Sequence, residues 1–562
     1  MPMKKLIAYT LCLLGLVFMG SVTAPAADLP GTVLPGQIEK QFKPEPKISA
    51  GQPERIGVPE LDQPVPSNAK SIRFKLKKIV IEGVTVYSES ELLSAYQNLL
   101  DTEVLLTEIY QIAFSLTAKY RNDGYILSQV IVPVQLIEGG EVRLKAIEGY
   151  VASVTVTGVD GDWRKLVERY AEEIKQSRPL RNNVLERHLL LINDLPGAFA
   201  RATIKPSQSE PGASEMTVHF TQQKVQGGLS ADNRGGELQG PMRISGDMTL
   251  NSVLGLQEST TLRLISSGNE RLRYAFFGHQ ENIGSNGGKL NLYASVVRSE
   301  PKEMFFIPLN LETSSETYTL SYNYPLIRSR SKNLSIRGSF FAYDGETEIF
   351  GVEDTRDQIR GFRLGVTYDR ADSWRGVNLL DIELSQGIDG LGSSENDDLW
   401  LSRPNGRVDF TKAALYAARL QSLTTRWSVL LAVNAQYAWN DLLSSELYSF
   451  GGEQFGRGYD PSELVGDHGV AGKLELRFTD TLPLGFASSY TLYGFYDVGI
   501  VYQRTTDGFE RSESAASGGL GLRLNLGPYV SCFAELAKPL TRDVTAEENR
   551  DARGYGGLSI RF

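Results

Sequence analysis

Few side chains in this sequence could carry acid–base, nucleophilic or metal chemistry. The chain has four histidines and two cysteines among 562 residues. The histidines are His188, His219, His279 and His468. They form no His-Glu-x-x-His pattern, and the sequence contains neither a Gly-x-Ser-x-Gly elbow nor a Walker glycine loop. Paired carboxylates such as Glu353-Asp354 and Glu547-Glu548 are typical of solvated loops. We therefore expect a protein that is not an enzyme and holds no metal and no cofactor.

Composition and charge exclude further classes. The 58 Lys and Arg against 67 Asp and Glu give a net charge of -9, and the pI is near 5.3. Such a chain lacks the basic surface that nucleic acid requires, so we expect no nucleic-acid partner. With 41% hydrophobic and 22% charged residues, it is neither collagenous nor wholly disordered. The function must be sought in the elements that organise the chain.

The first segment, residues 1–27, has the pattern of a secretory signal peptide. Lys4 and Lys5 precede an apolar run over residues 6–19, and Ala24-Pro25-Ala26 follows it. A membrane anchor is the alternative, but a run of about fourteen apolar residues is short for a spanning helix. We expect cleavage near Ala26 and export of the mature chain.

Residues 28–70 form a proline-rich arm. This segment contains eight prolines, few aromatic residues and no strand-like alternation. Residues 36–43 could form a helix of about two turns, which would be marginal alone and would need a surface to dock on. Solvated coil is the alternative for these residues.

Two modules follow, at residues 71–150 and 151–224, in which the hydrophobic period switches between two and 3.6. The first has strands at 74–82, 125–132 and 141–148, with helices at 90–99 and 106–121. The second has strands at 152–157, 198–205 and 215–221, with helices at 163–175 and 180–193. Each is therefore an α+β module of order β-α-α-β-β. A three-stranded sheet of this kind leaves an edge strand that could accept an extended peptide.

Residues 225–562 show apolar and polar residues in alternation. In residues 470–479, Lys473, Glu475 and Arg477 alternate with Leu474 and Leu476. About sixteen such stretches of about ten residues, separated by turn residues, predict a 16-stranded antiparallel transmembrane β-barrel with lipid outside and a wet lumen. A soluble β-sandwich shows the same alternation of apolar and polar residues and is the alternative fold. An outer-membrane barrel hydrolase is the alternative function among enzymes.

The chain ends on a strand-like segment over residues 554–562. Leu558, Ile560 and Phe562 share one face of it. A terminal strand of this form resembles the signal by which outer-membrane barrels are recognised for insertion.

The whole mature chain resembles the transporters of two-partner secretion, the TpsB family of haemolysin and adhesin secretion-activation proteins. Its sharpest mark is Gly456-Arg457-Gly458-Tyr459, which is similar to the family's loop-six motif, with glycine in the usual valine position. A second mark is Phe495-x-Asp497-x-Gly499. Weaker marks are Gly124-Tyr125, Val132-Pro133-Val134-Gln135, Ile147-Glu148-Gly149 and residues 189–197.

The resemblance implies a location and a set of roles. The two modules would be POTRA domains in the periplasm, and the barrel would lie in the bacterial outer membrane. Arg457 would fold into the lumen and pair with Asp497 as a latch, since an arginine fork suits a carboxylate. The arm would supply a helix that plugs the pore.

We expect the chain to export an unfolded exoprotein, an adhesin, haemolysin or toxin of the TpsA type. Export alone and export with activation of that partner are the two alternatives. Docking would use the groove between residues 106–121 and 125–132, with Tyr125, Gln129, Ile131 and Val132 nominated. Biogenesis would involve the barrel-assembly machinery, periplasmic chaperones and outer-membrane lipid. An outer-membrane assembly factor is the first alternative, and a passive porin, which needs no periplasmic modules, is the second.

Overall fold

The computed structural model describes residues 29–47, 63–268, 270–301, 306–483, 488–505 and 509–562. The signal peptide predicted over residues 1–27 lies outside these ranges. Within them, the helices are all too short or too polar to cross a membrane.

The arm begins with two short helical segments. A 3-10 helix, Gly31–Val33, leads into the helix α1, Pro35–Lys40, which has its proline at the first helical position. The sequence pattern predicted a helix over residues 36–43, so the observed helix begins one residue earlier and ends three residues earlier. A second 3-10 helix, Ser67–Lys70, precedes the first module.

The first module contains five strands and two α-helices. Its elements are β1 Arg73–Lys75, β2 Lys78–Glu82, α2 Glu89–Leu93, β3 Glu103–Leu105, α3 Leu106–Asn122, β4 Gln129–Ile131 and β5 Glu141–Ile147. The main sheet has the order β2-β5-β4, and β1 pairs separately with β3. The α3 helix packs on the sheet because its apolar residues recur every three or four positions, as in Ile109, Ile112 and Leu116, which are all buried.

Two strands of this module are shorter in the structure than the sequence pattern predicted. The strand expected over residues 74–82 is divided, because Leu76 is buried and bonds through its backbone to Asp101 and Thr102. The strand expected over residues 125–132 is reduced to β4, because the chain first turns away from α3. The N–H of Tyr125 donates to the carbonyl of Tyr120 in that turn, at 2.8 Å.

The second module follows the predicted order without extra strands. Its elements are β6 Tyr150–Thr157, α4 Gly161–Gln176, α5 Asn182–Asn193, β7 Ala198–Pro206 and β8 Ala213–Gln222. The sheet order is β6-β8-β7, with β6 parallel to β8. Both helices cover one face of this sheet, and the apolar side chains between them form the core of the module.

Sixteen strands then close into an antiparallel barrel. The strands are β9 Val225–Asp232, β10 Arg243–Asn251, β11 Ser259–Ser267, β12 Leu272–Ile283, β13 Gly288–Ser299, β14 Glu312–Arg328, β15 Lys332–Ile349, β16 Val352–Ala371, β17 Gly376–Ile388, β18 Thr411–Ser422, β19 Trp427–Ala438, β22 His468–Thr481, β23 Ser488–Arg504, β24 Glu510–Leu526, β25 Val530–Pro539 and β26 Arg553–Arg561. Between β19 and β22, β20 Tyr448–Phe450 and β21 Leu464–Gly466 form a separate two-stranded sheet. The predicted fold class is confirmed, although several strands exceed the expected ten residues or so.

The alternation in β22 divides its side chains between the two faces of the barrel wall. Leu474 and Leu476 are exposed on the outside, whereas Lys473 and Glu475 are buried on the inside. An apolar outer face and a charged inner face are the arrangement that a lipid-embedded barrel with a polar lumen requires.

The second module is attached to the barrel by charged contacts. Arg328 at the end of β14 donates from Nε and Nη2 to the two carboxylate oxygens of Asp194, at 2.7 and 2.8 Å. Lys289 donates to the carbonyl of Asp194 at 3.0 Å, and the Trp163 indole donates to Ser252 Oγ at 2.9 Å. These bonds join the second module to one rim of the barrel.

Candidate functional site

The loop between β20 and β21, residues 451–463, folds into the barrel. We call it loop six. Phe455 and Tyr459 in this loop are buried together with Phe450 of β20. The loop therefore forms part of the packed interior of the barrel.

Arg457 lies at the centre of this loop and contacts the wall through its whole guanidinium group. Its Nε and Nη2 donate to Asp497 Oδ2 and Oδ1 at 2.9 and 2.8 Å. Its Nη1 donates to Glu475 Oε2 at 2.6 Å, and the group stacks 3.6 Å from the ring centre of Phe495. The structure thus brings Arg457, Asp497 and Phe495 together, and all three are buried.

The backbone of the loop motif also bonds to Asp497. The N–H groups of Gly456 and Arg457 donate to Asp497 Oδ2 at 3.2 and 3.0 Å. Gly456 has φ +94°, a conformation that favours glycine. The Tyr459 hydroxyl donates to the carbonyl of Ala516 at 3.0 Å. Asp497 therefore receives two donors from the guanidinium and two from the backbone.

Two glycines of the predicted motifs lie where the chain has no room for a side chain. A Cβ on Gly458 would lie 2.8 Å from Ser517 Cβ and 2.9 Å from the nitrogen of Pro539. A Cβ on Gly499 would lie 2.3 Å from the ring of Phe450. Glycine at these positions lets loop six and the adjoining β20 approach the barrel wall closely.

Two carboxylates near Arg457 were not nominated from the sequence. Glu475 on β22 accepts from Arg477 and Arg523 as well as from Arg457. Glu535 on β25 has an oxygen 3.8 Å from Arg457 Nη1 and accepts from Arg234 at 3.0 Å. The alternation of β22 placed Glu475 inside the barrel, but nothing in the sequence showed which arginine it would meet.

Loop six also reaches the strands at which the barrel closes. Asp460 accepts from Arg553 of β26 at 2.6 Å and from the N–H of Glu237, in the connection after β9, at 3.1 Å. The strands β9 and β26 pair from Asp232–Gly557 to Gly228–Arg561. One carboxylate of loop six thus bonds to both sides of the closure.

The α1 helix contacts inward-facing side chains of the barrel. Gln37 Nε2 donates to the carbonyls of Ser444 and Leu447 at 2.6 and 3.2 Å. Glu39 accepts from Ser295 Oγ at 2.9 Å and from Thr317 Oγ1 at 2.6 Å. The helix is thereby bonded on one side to wall strands and on the other to the connection between β19 and β20.

The chain just beyond α1 remains inside the barrel. Glu45 accepts from Lys473 at 2.5 Å and from the Tyr416 hydroxyl at 3.2 Å. Gln454 of loop six donates to the carbonyl of Lys43 at 2.6 Å. The arm and loop six are therefore in direct contact.

The residues nominated for docking occupy different environments. Tyr125 is buried and lies edge-on to the rings of Tyr87 and Tyr120. Gln129 and Ile131 are half-buried on β4, and the Val132 side chain is buried. The side chains of Tyr125 and Val132 are therefore closed to a peptide, whereas those of Gln129 and Ile131 are partly accessible.

The three residues of the nominated insertion signal lie on one face of the last strand. Leu558, Ile560 and Phe562 are all exposed on the outside. The backbone of Phe562 exchanges two hydrogen bonds with Gly227, each 3.0 Å long.

The histidines do not gather into a site. His188 lies in the core-facing side of α5, where burial and the nearby Arg187 charge lower its pKa to about 4. His219 contacts Thr157, and His279 contacts Thr260. Among the residues that the structure describes, there is no group of three or more His, Cys, Asp or Glu side chains arranged to hold a metal ion.

Two periplasmic modules joined to a closed, polar-lined barrel define the class of outer-membrane POTRA proteins. A family model described as haemolysin secretion/activation protein ShlB/FhaC/HecB matches residues 212–524, and one for the ShlB-type POTRA domain matches residues 74–149. The chain belongs to the ShlB/FhaC/HecB family. The predicted resemblance to two-partner secretion transporters and the outer-membrane location are thereby confirmed.

Individual relatives agree with this assignment. The chain is 23% identical over 558 residues to the heme/hemopexin transporter protein HuxB of Haemophilus influenzae, covering 94% of each chain. It is 23% identical over 446 residues to the outer membrane transporter CdiB of Dickeya dadantii, covering 77% of each. The solved structure of CdiB from Escherichia coli shares the fold, with a TM-score of 0.72, 18% identity, and coverage of 89% of this chain and 93% of that one.

Proposed function

We propose that this protein carries an unfolded exoprotein from the periplasm across the outer membrane. The barrel is closed and its inner face is polar, which suits an extended peptide that keeps its backbone hydrated. The observation that carries the proposal is the filling of this lumen by two segments, α1 and loop six, that are held by hydrogen bonds and ion pairs rather than by strand pairing. Such contacts can break and re-form without loss of the barrel.

The first step of the proposal is the departure of α1 from the lumen. The helix has six residues, so it is too short to be stable alone in water. Its stability inside the barrel comes from contacts such as those of Gln37 and Glu39. A peptide entering the lumen competes for the same groups, and α1 then acts as a plug that leaves during transport.

The second step is rearrangement of loop six. The bonds of Arg457 to Asp497 and Glu475 hold the loop against the wall. Arg457, Glu475 and Asp497 are buried, so each attraction is strong while the loop is seated, about 4 kcal/mol at 4 Å and an effective dielectric of 20. It falls to about 1 kcal/mol once water enters the opened cluster. We propose that this cluster is a latch that keeps the empty barrel in one arrangement.

The partner is a secreted exoprotein of the TpsA type. The relatives HuxB and CdiB are named as transporters, the first of heme/hemopexin. Their names support an extracellular partner for this chain and leave open whether it is an adhesin, a haemolysin or a toxin. Activation of the partner during export is a further part of the proposal.

Deletion of one module tests the proposal. Removing residues 71–150 while keeping the barrel should abolish export of the partner, because the periplasmic docking surface is lost. Barrel insertion, measured by heat-modifiable mobility in isolated outer membranes, should continue. Export at the normal level without this module would contradict docking through the POTRA domains.

Biogenesis of the barrel has a separate test. We propose that the outward face of β26, ending in Phe562, is read by the barrel-assembly machinery after chaperones deliver the chain. Deletion of Phe562 should reduce the amount of folded barrel in the outer-membrane lipid. An unchanged amount would remove Leu558, Ile560 and Phe562 as an insertion signal.

A further inference from the structure

The outer edge of β4 is already occupied by the chain's own side chains. The N–H of Val130 donates to Thr117 Oγ1 of α3 at 2.8 Å. The N–H of Val132 donates to Gln63 Oε1 at 2.8 Å, and Gln63 Nε2 donates back to the carbonyl of Val132 at 2.9 Å. The Gln63 carboxamide therefore supplies the donor and the acceptor that a peptide unit of an added strand would supply.

The two occupants of this edge differ in how easily they could leave. Thr117 is buried on α3, which packs against β4 in the module core. Gln63 belongs to the arm, between this module and the segment that enters the barrel. Displacing Thr117 would disrupt the core, whereas displacing Gln63 would break two hydrogen bonds of an amide at the surface. Val132 is therefore the point at which this edge can be opened.

Apolar side chains lie exposed just beyond Val132. Val134 is fully exposed and Leu136 is 81% exposed. Between them, Gln135 is turned inward, since its amide donates to the carbonyl of Arg143 and accepts from the N–H of Arg143, each at 2.7 Å. Exposed apolar residues beside a sheet edge suit an extended peptide with apolar side chains on one face.

The segment that carries Gln63 is fixed to the first module and continues upstream to α1. Ala69 in the 3-10 helix is fully buried, and that helix packs against α3. On the other side, Glu45 is bonded inside the barrel to Lys473. Only eighteen positions separate Glu45 from Gln63. One arm thus contacts both the docking edge and the lumen.

We propose that Gln63 is an internal competitor for the client at Val132, and that its displacement by an extended client peptide loosens the arm that leads to α1. The inference rests on the proposed function, because it requires that clients dock at the POTRA edge. It adds the position at which an incoming strand pairs and the residue that resists it. The empty transporter is thereby kept both undocked and plugged.

A competition experiment on the full-length protein in nanodiscs tests this role. The probe is a fluorescein-labelled peptide of sequence Lys-(Val-Thr)4-Lys, which forms an extended strand with one apolar face. Gln63→Leu keeps the size of the side chain and removes both bonds to Val132. We expect it to bind the probe roughly 5- to 150-fold more tightly than the unsubstituted protein, as expected for loss of two competing hydrogen bonds.

A matched control is Gln97→Leu, which changes an exposed glutamine in the same module. It should bind the probe as the unsubstituted protein does. Hydrogen exchange of the Val132 amide should be faster in Gln63→Leu and unchanged in Gln97→Leu, which shows that the intended contact was removed from a folded module.

The outcomes separate the inference from the function on which it rests. Equal probe affinity in the unsubstituted protein and Gln63→Leu, with faster Val132 exchange, would overturn competition by Gln63 while leaving docking intact. Failure of all three proteins to bind the probe would overturn strand docking itself. Planar-bilayer recordings complete the test: the probe should increase channel opening in the unsubstituted protein, and an unchanged opening frequency would overturn the link to α1.

Discussion

Replacement of Gly36 by alanine should weaken the seating of α1 in the barrel. Gly36 lies in the first turn of this helix, against the short helical segment Ser444–Glu446. A Cβ at this position would lie 2.2 Å from Ser445 Cβ and 2.5 Å from Ser445 Cα. Carbon atoms in contact normally lie about 3.5–4.0 Å apart, so the helix or its support must move by more than about 1 Å.

The support for α1 is not free to move by that amount. Ser445 is buried. The neighbouring Glu446 accepts from Arg363 at 2.8 Å and forms an ion pair with Lys412 at 2.7 Å. Overpacking of this kind costs about 1–3 kcal/mol, while alanine gains about 0.5–1 kcal/mol over glycine within a helix. A net loss of about 1–2 kcal/mol corresponds to a roughly 5- to 30-fold shift from the seated to the released helix.

Planar-bilayer recording of the purified protein measures this shift. Gly36→Ala should open roughly 5 to 30 times more often than the unsubstituted channel. Gly338→Ala is the matched control, because a Cβ there meets no atom within 4 Å and the residue lies in the barrel wall. Equal opening frequencies in Gly36→Ala and Gly338→Ala would refute the view that α1 closes the channel.

Three further substitutions test other parts of the account. Arg457→Lys keeps the charge but loses the fork that binds Asp497, so export should fall about tenfold or more while folded barrel persists; export is measured by immunoblot of the medium. Arg328→Gln should loosen the second module, seen as a broader spin-label distance distribution between α4 and the barrel. His188→Leu should reduce the acid sensitivity of α5, measured by hydrogen exchange. In the folded module the pKa of His188 is lowered to about 4, so the unfolded chain binds a proton at a higher pH than the folded one. The free energy of unfolding of the native module therefore falls as the pH decreases from about 6.5 toward 4.

Each of these substitutions has a control of the same chemical type. Arg426→Lys changes an exposed arginine paired with Asp480, and normal export is expected. Arg164→Gln removes an exposed pair with Asp160 and should leave the distance distribution narrow. His219→Leu should retain the acid sensitivity of α5. A result in which a substitution and its control behave alike would contradict the corresponding prediction.

The barrel could be predicted because its signal is local and repeated. Leu474 and Glu475 lie on opposite faces for the simple reason that neighbouring residues in a strand point in opposite directions. The same rule applies to all sixteen strands, and errors in one strand do not affect the others. Strand length was less predictable, because β16 continues for 20 residues as pairing extends past the expected membrane segment.

Contacts between distant parts of the chain were largely beyond the sequence pattern. Arg457 and Asp497 could be paired only through the resemblance to a family. Glu535 meets Arg234 across 301 positions, and neither residue carries a local mark of that contact. The contact of Gln63 with Val132 was equally hidden. The sequence around Gln63 looks like that of a solvated linker and carries no sign of this contact.

Deletion of the gene, followed by proteomics of the medium, cell surface and outer membrane, tests the central claim most directly. Two-partner export predicts the loss of one large extracellular protein, restored by the intact gene, with other outer-membrane barrels at normal levels. A general fall in outer-membrane barrels would make this an assembly factor and contradict the account, and an unchanged extracellular proteome would contradict export of a dedicated partner.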